Sequence, residues 1–129
     1  MSFGNLLKRK TLSGHSEYVI CCAISPDNRL FVSGSDDKTL ILWDRDGNRI
    51  RTLRGHDDRV YCCTFSDDGK HVISGGGDRT LRVWNIETWQ ETAVLRGHTS
   101  SVWGCDTFGN EFAFVRINFE IFSFEMNCL

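Results

Sequence analysis

Two stretches of the chain, Thr11 to Asp44 and Thr52 to Asn85, carry one pattern twice, offset by 41 residues without a gap. Written out, GHSEYVICCAISPDNRLFVSGSDDKTLILWD and GHDDRVYCCTFSDDGKHVISGGGDRTLRVWN agree at 13 of 31 positions, among them the Gly-His pair, both cysteines and the Trp. A third copy begins on schedule at Leu95, runs through Arg96, Gly97, His98, Val102 and Cys105, and then loses the pattern. A repeat of this length constrains the fold more tightly than any composition. Each copy is one small unit that cannot bury its apolar face alone and must stack against a neighbour.

Local sequence predicts four short strands per unit. VICCAI and VYCCTF are apolar runs ended by the turn clusters Ser25 to Asn28 and Ser66 to Gly69. LFVSGS and HVISGG follow, then a tight turn of Asp and Gly residues, then TLILWD and TLRVWN. After each Trp comes a further turn, Asp46-Gly47-Asn48 in the first copy, and a short strand that runs into the next Gly-His. No helical spacing of apolar residues is present in the repeats, so the chain reads as all-β.

Gly-His recurs after 41 and then 42 residues, and a Trp-Asp or Trp-Asn stands 28 residues after each of the first two His. With these features the chain resembles the WD-repeat family of β-propellers, over roughly residues 8 to 105. The resemblance implies a partial propeller of four-stranded antiparallel blades. It divides the chain into an N-terminal segment (1–10), a first repeat (11–51), a second (52–94), the start of a third (95–107) and a divergent tail (108–129). Lys8 to Ser13 is expected to be the outermost strand of a blade, as Arg51 to Arg54 is before the second Gly-His.

The recurring polar residues are His15, Ser33, Asp37 and Trp43, then His56, Ser74, Asp78 and Trp84, with the same separations in both copies. In the family these positions form a hydrogen-bonded tetrad inside each blade. A buried imidazole needs a partner on each nitrogen and an indole N–H needs an acceptor, which Asp and Ser supply. A His, a Ser and an Asp also suggest a hydrolase. A nucleophile, however, must be exposed beside an oxyanion site, not buried once per repeat. Glycine-flanked nucleophile, phosphate-loop and zinc-protease motifs are absent from the sequence. The expectation is a non-enzyme without cofactor or metal.

Cys21-Cys22, Cys62-Cys63 and Cys105 sit six or seven residues after their His, as strand positions of a repeat. No Cys-x-x-Cys pair suggests zinc. Adjacent cysteines on a strand face opposite ways, which speaks against a local disulfide. Thiols without evident disulfide partners, and no apolar signal segment in MSFGNLLKRK, point to the cytosol or nucleus.

Carrying the tetrad separations forward from His98 lands on Arg116, Glu120 and Met126 instead of Ser, Asp and Trp. Six of the nine Phe lie in the last 22 residues, and no Gly follows Gly109. Two accounts of this tail stand open. In one it pairs as strands of an incomplete third blade; in the other the reading frame leaves the coding sequence near Asp106 to Gly109 and the tail has no selected structure. The second is the expectation, because stacked arrays need polar caps and this end is apolar. Rings close with about four to eight blades. With two full units the chain is therefore expected to be a piece or short isoform of a longer propeller and not a stable monomer, its open blade edges prone to self-association.

A partner surface can be named from the repeat. In the family, positions three and five after the His line the central contact surface; here these are Tyr18, Ile20, Arg59, Tyr61, Ser101 and Trp103, with Asp36 reaching the same face from just before the first tetrad Asp. Tyr, Trp and Arg combine contact area with directional polar groups; the alternative for Ile20, Tyr61 and Trp103 is channel filling. With 15 basic and 17 acidic residues and a net charge of −2, nucleic-acid binding is not indicated, and no amphipathic segment suggests a membrane. The expected function is a protein- or peptide-binding scaffold. The alternatives are blades that complete a ring by oligomerising or by joining another propeller, and a substrate-recognition subunit of an enzyme complex such as a ubiquitin ligase, which asks for an Arg cluster that only Arg59 and Arg79 could start.

Overall fold

The structure, a computed structural model, describes residues 11–96, 99–108, 112–117 and 120–125. Among them are eleven strands and no helix: β1 (Val19–Ile24), β2 (Leu30–Ser35), β3 (Thr39–Asp44), β4 (Arg49–Arg54), β5 (Val60–Phe65), β6 (His71–Gly76), β7 (Leu81–Asn85), β8 (Glu91–Leu95), β9 (Val102–Phe108), β10 (Phe112–Ile117) and β11 (Glu120–Glu125). They form antiparallel meanders of four, four and three strands, β1-β2-β3-β4, β5-β6-β7-β8 and β9-β10-β11. The apolar runs read from the sequence are β1, β2 and β3 and their counterparts β5, β6 and β7, with β7 starting one residue late.

Turn chemistry sets the strand ends. Ser25 Oγ donates to Asp27 Oδ1 (2.7 Å) and Asn28 N to Ser25 O (2.9 Å). Ser66, Asp68 and Gly69 repeat this at 2.6 and 2.9 Å. Asn28 and Gly69 are the left-handed residues of these turns, at φ 61° and 72°, a conformation open to Asn and Gly. At the β2–β3 and β6–β7 turns the left-handed residues are Lys38 (φ 75°) and Arg79 (φ 65°), not a glycine. The aspartate before each accepts from the backbone N–H after it, Thr39 N to Asp37 Oδ1 at 2.9 Å and Thr80 N to Asp78 Oδ1 at 3.1 Å, which holds the strained turn closed.

The sheets stack in chain order through two apolar cores. The first holds Val32, Leu40, Leu42 and Leu53 of the first sheet against Val60, Cys63, Phe65, Val72, Trp84 and Ile86 of the second. The second holds Cys62, Ile73, Leu81 and Val83 against Val102, Val115 and Ile117 of the third. The adjacent cysteines of β5 therefore face opposite cores, as alternation on a strand requires.

Gly34 and Gly75 let the sheets approach. A Cβ on Gly34 would lie 2.8 Å from Val60 Cγ1, and one on Gly75 2.8 Å from Val102 Cβ.

Two expectations need correction. The tail is not without structure: β10 pairs with β9 and β11, and Val115 and Ile117 are buried in the second core. The physical reason is the two-residue period of β10, which delivers Val115 and Ile117 to one face although the tetrad pattern is gone. Of the expected outer strand Lys8 to Ser13, residues 8–10 lie outside the described residues and 11–13 carry no strand. His98 and Met126 also lie outside the described residues; Arg116 and Glu120 are exposed on β10 and β11 and form no tetrad.

Candidate functional site

In the first sheet His15 Nε2 lies 2.7 Å from Ser33 Oγ, and Trp43 Nε1 donates to the same oxygen at 2.9 Å. The Ser33 hydroxyl has one proton. Having accepted from Trp43, it donates that proton to His15 Nε2, which leaves Nδ1 as the protonated nitrogen facing Asp37 Oδ2 at 2.9 Å. Every hydrogen bond thus runs from Trp to Ser to His to Asp, an order in which each polarises the next. The second sheet repeats the relay with His56 to Ser74 at 2.7 Å, Trp84 to Ser74 at 2.9 Å and His56 to Asp78 at 2.9 Å.

A fifth member was missed in the sequence. Thr39 Oγ1 donates to Asp37 Oδ1 at 2.6 Å and Thr80 Oγ1 to Asp78 Oδ1 at 2.7 Å. The signal was present, since both Thr stand 24 residues after their His. Burial acts to raise the Asp37 carboxyl, but hydrogen bonds from Thr39, His15 and the Thr39 and Ser16 backbone N–H groups outweigh it and hold the group at about 2. Asp78 is held well below the usual carboxylate range, burial again being outweighed, here by His56, Thr80 and the Asp57 N–H.

The copies differ at one buried place. Arg82 stands where the first sheet has Ile41, and its guanidinium reaches Glu91 Oε2 (3.0 Å) and Asp78 Oδ2 (3.3 Å). Nothing in the repeat pattern signals this charge, because its partners come from β8 and the tetrad.

In each relay the buried serine oxygen sits between a ring nitrogen and an indole. Among the described residues no three His, Cys, Asp or Glu side chains gather as a metal site.

Of the surface residues named from the sequence, Asp36 lies in the β2–β3 turn and the others lie at or just before the start of the first strand of each sheet, β1, β5 and β9. In each sheet the register between that first strand and its neighbour shifts by one residue: between Val19 and Cys21, between Val60 and Cys62, and opposite Arg116 and Ile117. The residues left unpaired are Ile20, Tyr61 and Trp103, one per sheet. A bulge of this kind re-aims its side chain away from the regular alternation.

Tyr61 stacks on Trp103, ring centroids 4.4 Å apart and planes 12° from parallel. Trp103 remains 48% exposed and Tyr18 80% exposed. Arg59 Nε is 3.7 Å from Asp36 Oδ1, which joins the first and second sheets, and Asp36 N donates to Tyr18 O at 2.9 Å. Ser101 is half-buried just before β9.

The WD domain, G-beta repeat family matches residues 7–44 and 47–85. Similar curated proteins include small ribosomal subunit protein RACK1 of Medicago sativa, 47% identical over 47 residues (36% of this chain, 14% of that protein). The Notchless protein homolog of Arabidopsis thaliana is 49% identical over 35 residues (27% of this chain, 7% of that protein). Among solved structures, that of U3-55K superposes with TM-score 0.85 at 26% identity, over 89% of this chain and 36% of that one. The RRP9 WD40 repeats superpose with TM-score 0.76 at 30% identity, over 80% and 32%. The chain thus spans about a third of those solved chains, and the matched segments span 14% or less of the two curated relatives.

Proposed function

We propose, from the premise that this chain belongs to the WD-repeat family, that it is a non-catalytic scaffold holding a protein or peptide against the bulged edge of its three blades. The observation that carries this reading is the alignment of three bulges. They bring Ile20, Tyr61 and Trp103 to one edge beside Tyr18, Arg59 and Asp36. Aromatic and guanidinium groups on a rigid frame offer large contact area at small entropic cost. Peptides selected from a displayed library on the full chain test it. They should lose binding to Tyr18→Ala and Trp103→Ala chains that keep the β-sheet signal; equal binding to those chains sinks the assignment.

A second reading has its own observation. Val19 and Ile24 are 57% and 65% exposed, whereas their counterparts Val60 and Phe65 in the second blade are 0% and 5% exposed against the first blade. The outer face of the first blade is thus built like a covered one, which supports ring completion by oligomerisation or by blades of another propeller. Light scattering across a concentration series tests it; a sharp monomer with a cooperative melt counts against it. A ligase-type recognition role asks for gathered guanidinium groups, whereas Arg59 faces Asp36. The five free cysteines of the described residues support a reducing compartment, cytosol or nucleus, as the setting we infer.

A further inference from the structure

Cys21 and Cys63 meet across the junction of the first two blades, their Sγ atoms 3.2 Å apart. The repeat fixes this meeting. Cys21 stands six residues after His15 and Cys63 seven after His56, so the sixth position of one blade faces the seventh of the next. The same pairing recurs at the following junction, where Cys62 adjoins Cys105. A disulfide has its sulfurs about 2.05 Å apart, so closing the first pair asks for an approach of about 1 Å between two packed strands. Rotation about the Cα–Cβ bonds supplies movement on that scale.

We infer that Cys21 and Cys63 form an oxidisable thiol pair that closes a disulfide between the blades, with Cys21 as the thiol that meets the oxidant and Cys63 as the one that resolves it. Exposure divides the roles, since Cys21 is half-buried and Cys63 buried. The hydrogen bond agrees. Cys63 donates its S–H to Cys21, which lowers the pKa of Cys21, while that bond and burial push the Cys63 thiol well up. At the second junction the sixth-position thiol, Cys62, is buried where Cys21 is half-buried.

With hydrogen peroxide as oxidant the atoms balance in two steps. The Cys21 thiolate attacks one peroxide oxygen, the O–O bond breaks, and the leaving oxygen departs as water with the thiol proton, leaving a sulfenic acid. The Cys63 sulfur then attacks the Cys21 sulfur, the S–O bond breaks, and the hydroxyl leaves as a second water with the Cys63 proton. Two thiols lose two electrons and one peroxide becomes two waters. The bond ties β1 to β5, the strands that begin at the bulged edge. It stands independently of whether that edge binds a partner.

The test exposes the full chain, reduced and freed of reductant, to hydrogen peroxide, caps the remaining thiols with N-ethylmaleimide, and sequences the non-reduced peptides by fragment ions. Fragment sequencing is needed because Cys22 and Cys62 share peptides with the pair. The expected result is loss of two of the six thiols, placed at Cys21 and Cys63 within one chain, and unchanged in Cys22→Ser and Cys62→Ser. A Cys63→Ala chain should instead stop at a dimedone-reactive Cys21; if that variant misfolds, the map of the unaltered chain still decides. The proposal is overturned if the bond joins any other pair or two chains, if only over-oxidised thiols form, or if the same bond forms as fast in concentrated guanidinium.

Discussion

Replacing Ser74 by Ala removes one oxygen and orphans two groups. Trp84 Nε1–H loses its acceptor at 2.9 Å and His56 Nε2 loses its donor at 2.7 Å. The site is sealed: Ser74 has no exposed area and the His56 side chain none either, because the first blade lies against Trp84. A buried polar group left without a partner costs about 1–3 kcal/mol, so two of them, with some relaxation, cost about 2–4 kcal/mol. Ser33→Ala makes the same chemical change in the first blade. There His15, Ser33 and Trp43 border an open groove lined also by Leu12, Val19, Cys22 and Phe31, and water can replace the lost hydroxyl. The expected cost is about 1 kcal/mol, that of an ordinary hydrogen bond.

Urea unfolding followed by far-UV circular dichroism reads the difference. With the urea slopes of small proteins, the Ser74 variant should shift its midpoint down by about 1–2 M and the Ser33 variant by less than half of that. Hydrogen exchange of the Trp84 indole N–H should accelerate in Ser74→Ala and stay protected in Ser33→Ala. Equal costs, or a larger one for Ser33, would refute the argument that burial by the neighbouring blade sets the worth of the relay.

Three further outcomes are expected. Gly75→Ala should destabilise by about 1–3 kcal/mol, as overpacking does, because the new methyl meets Val102 across the blade junction and Cys62 on the neighbouring strand; a neutral effect in the same urea assay would mean the junction is loose. Val115→Ala should cost about 1.5–3 kcal/mol from lost burial and the cavity left behind, and an unchanged midpoint would return the tail to an unstructured segment. Asp37 and Asp78 have folded pKa values below the unfolded value of about 3.9, so the stability they contribute is present above that value and lost as pH falls toward about 2. A pH titration by circular dichroism should show acid unfolding in that window, milder in Asp37→Asn, and no change of stability from this source between pH 5 and 8.

Strand identity was open to reading because it is local. Alternating apolar residues between turn clusters give β1 to β3 and β5 to β7 nearly to the residue, and the resemblance to the WD-repeat family, carried onto the fixed separations from each His, implies both tetrads. Thr39 and Thr80 stand at the same fixed count, but a Thr on a strand has an ordinary reason to be there and does not stand out. Arg82 could not have been found that way. Its equivalent is Ile41, and it takes Glu91 from β8 together with Asp78 of the tetrad to make a buried guanidinium tenable.

Other features exist only between units. The sequence places Ile20, Tyr61 and Trp103 at one position of the repeat, but it is the one-residue slip between neighbouring strands that leaves each of them unpaired, and stacking of successive sheets that sets Tyr61 on Trp103. Alternation told which way Cys62 and Cys63 face, not that Cys63 would meet Cys21. The tail shows the divide most sharply. Judged by motif, it had left the pattern; judged by packing, two of its residues at the right spacing suffice to cover the second blade. The sequence by itself determined the unit and its internal hydrogen bonds, because those depend on neighbours within some forty residues. Tertiary structure decided which faces are covered, which thiols lie together and which aromatic rings stack, because each depends on what the next blade presents.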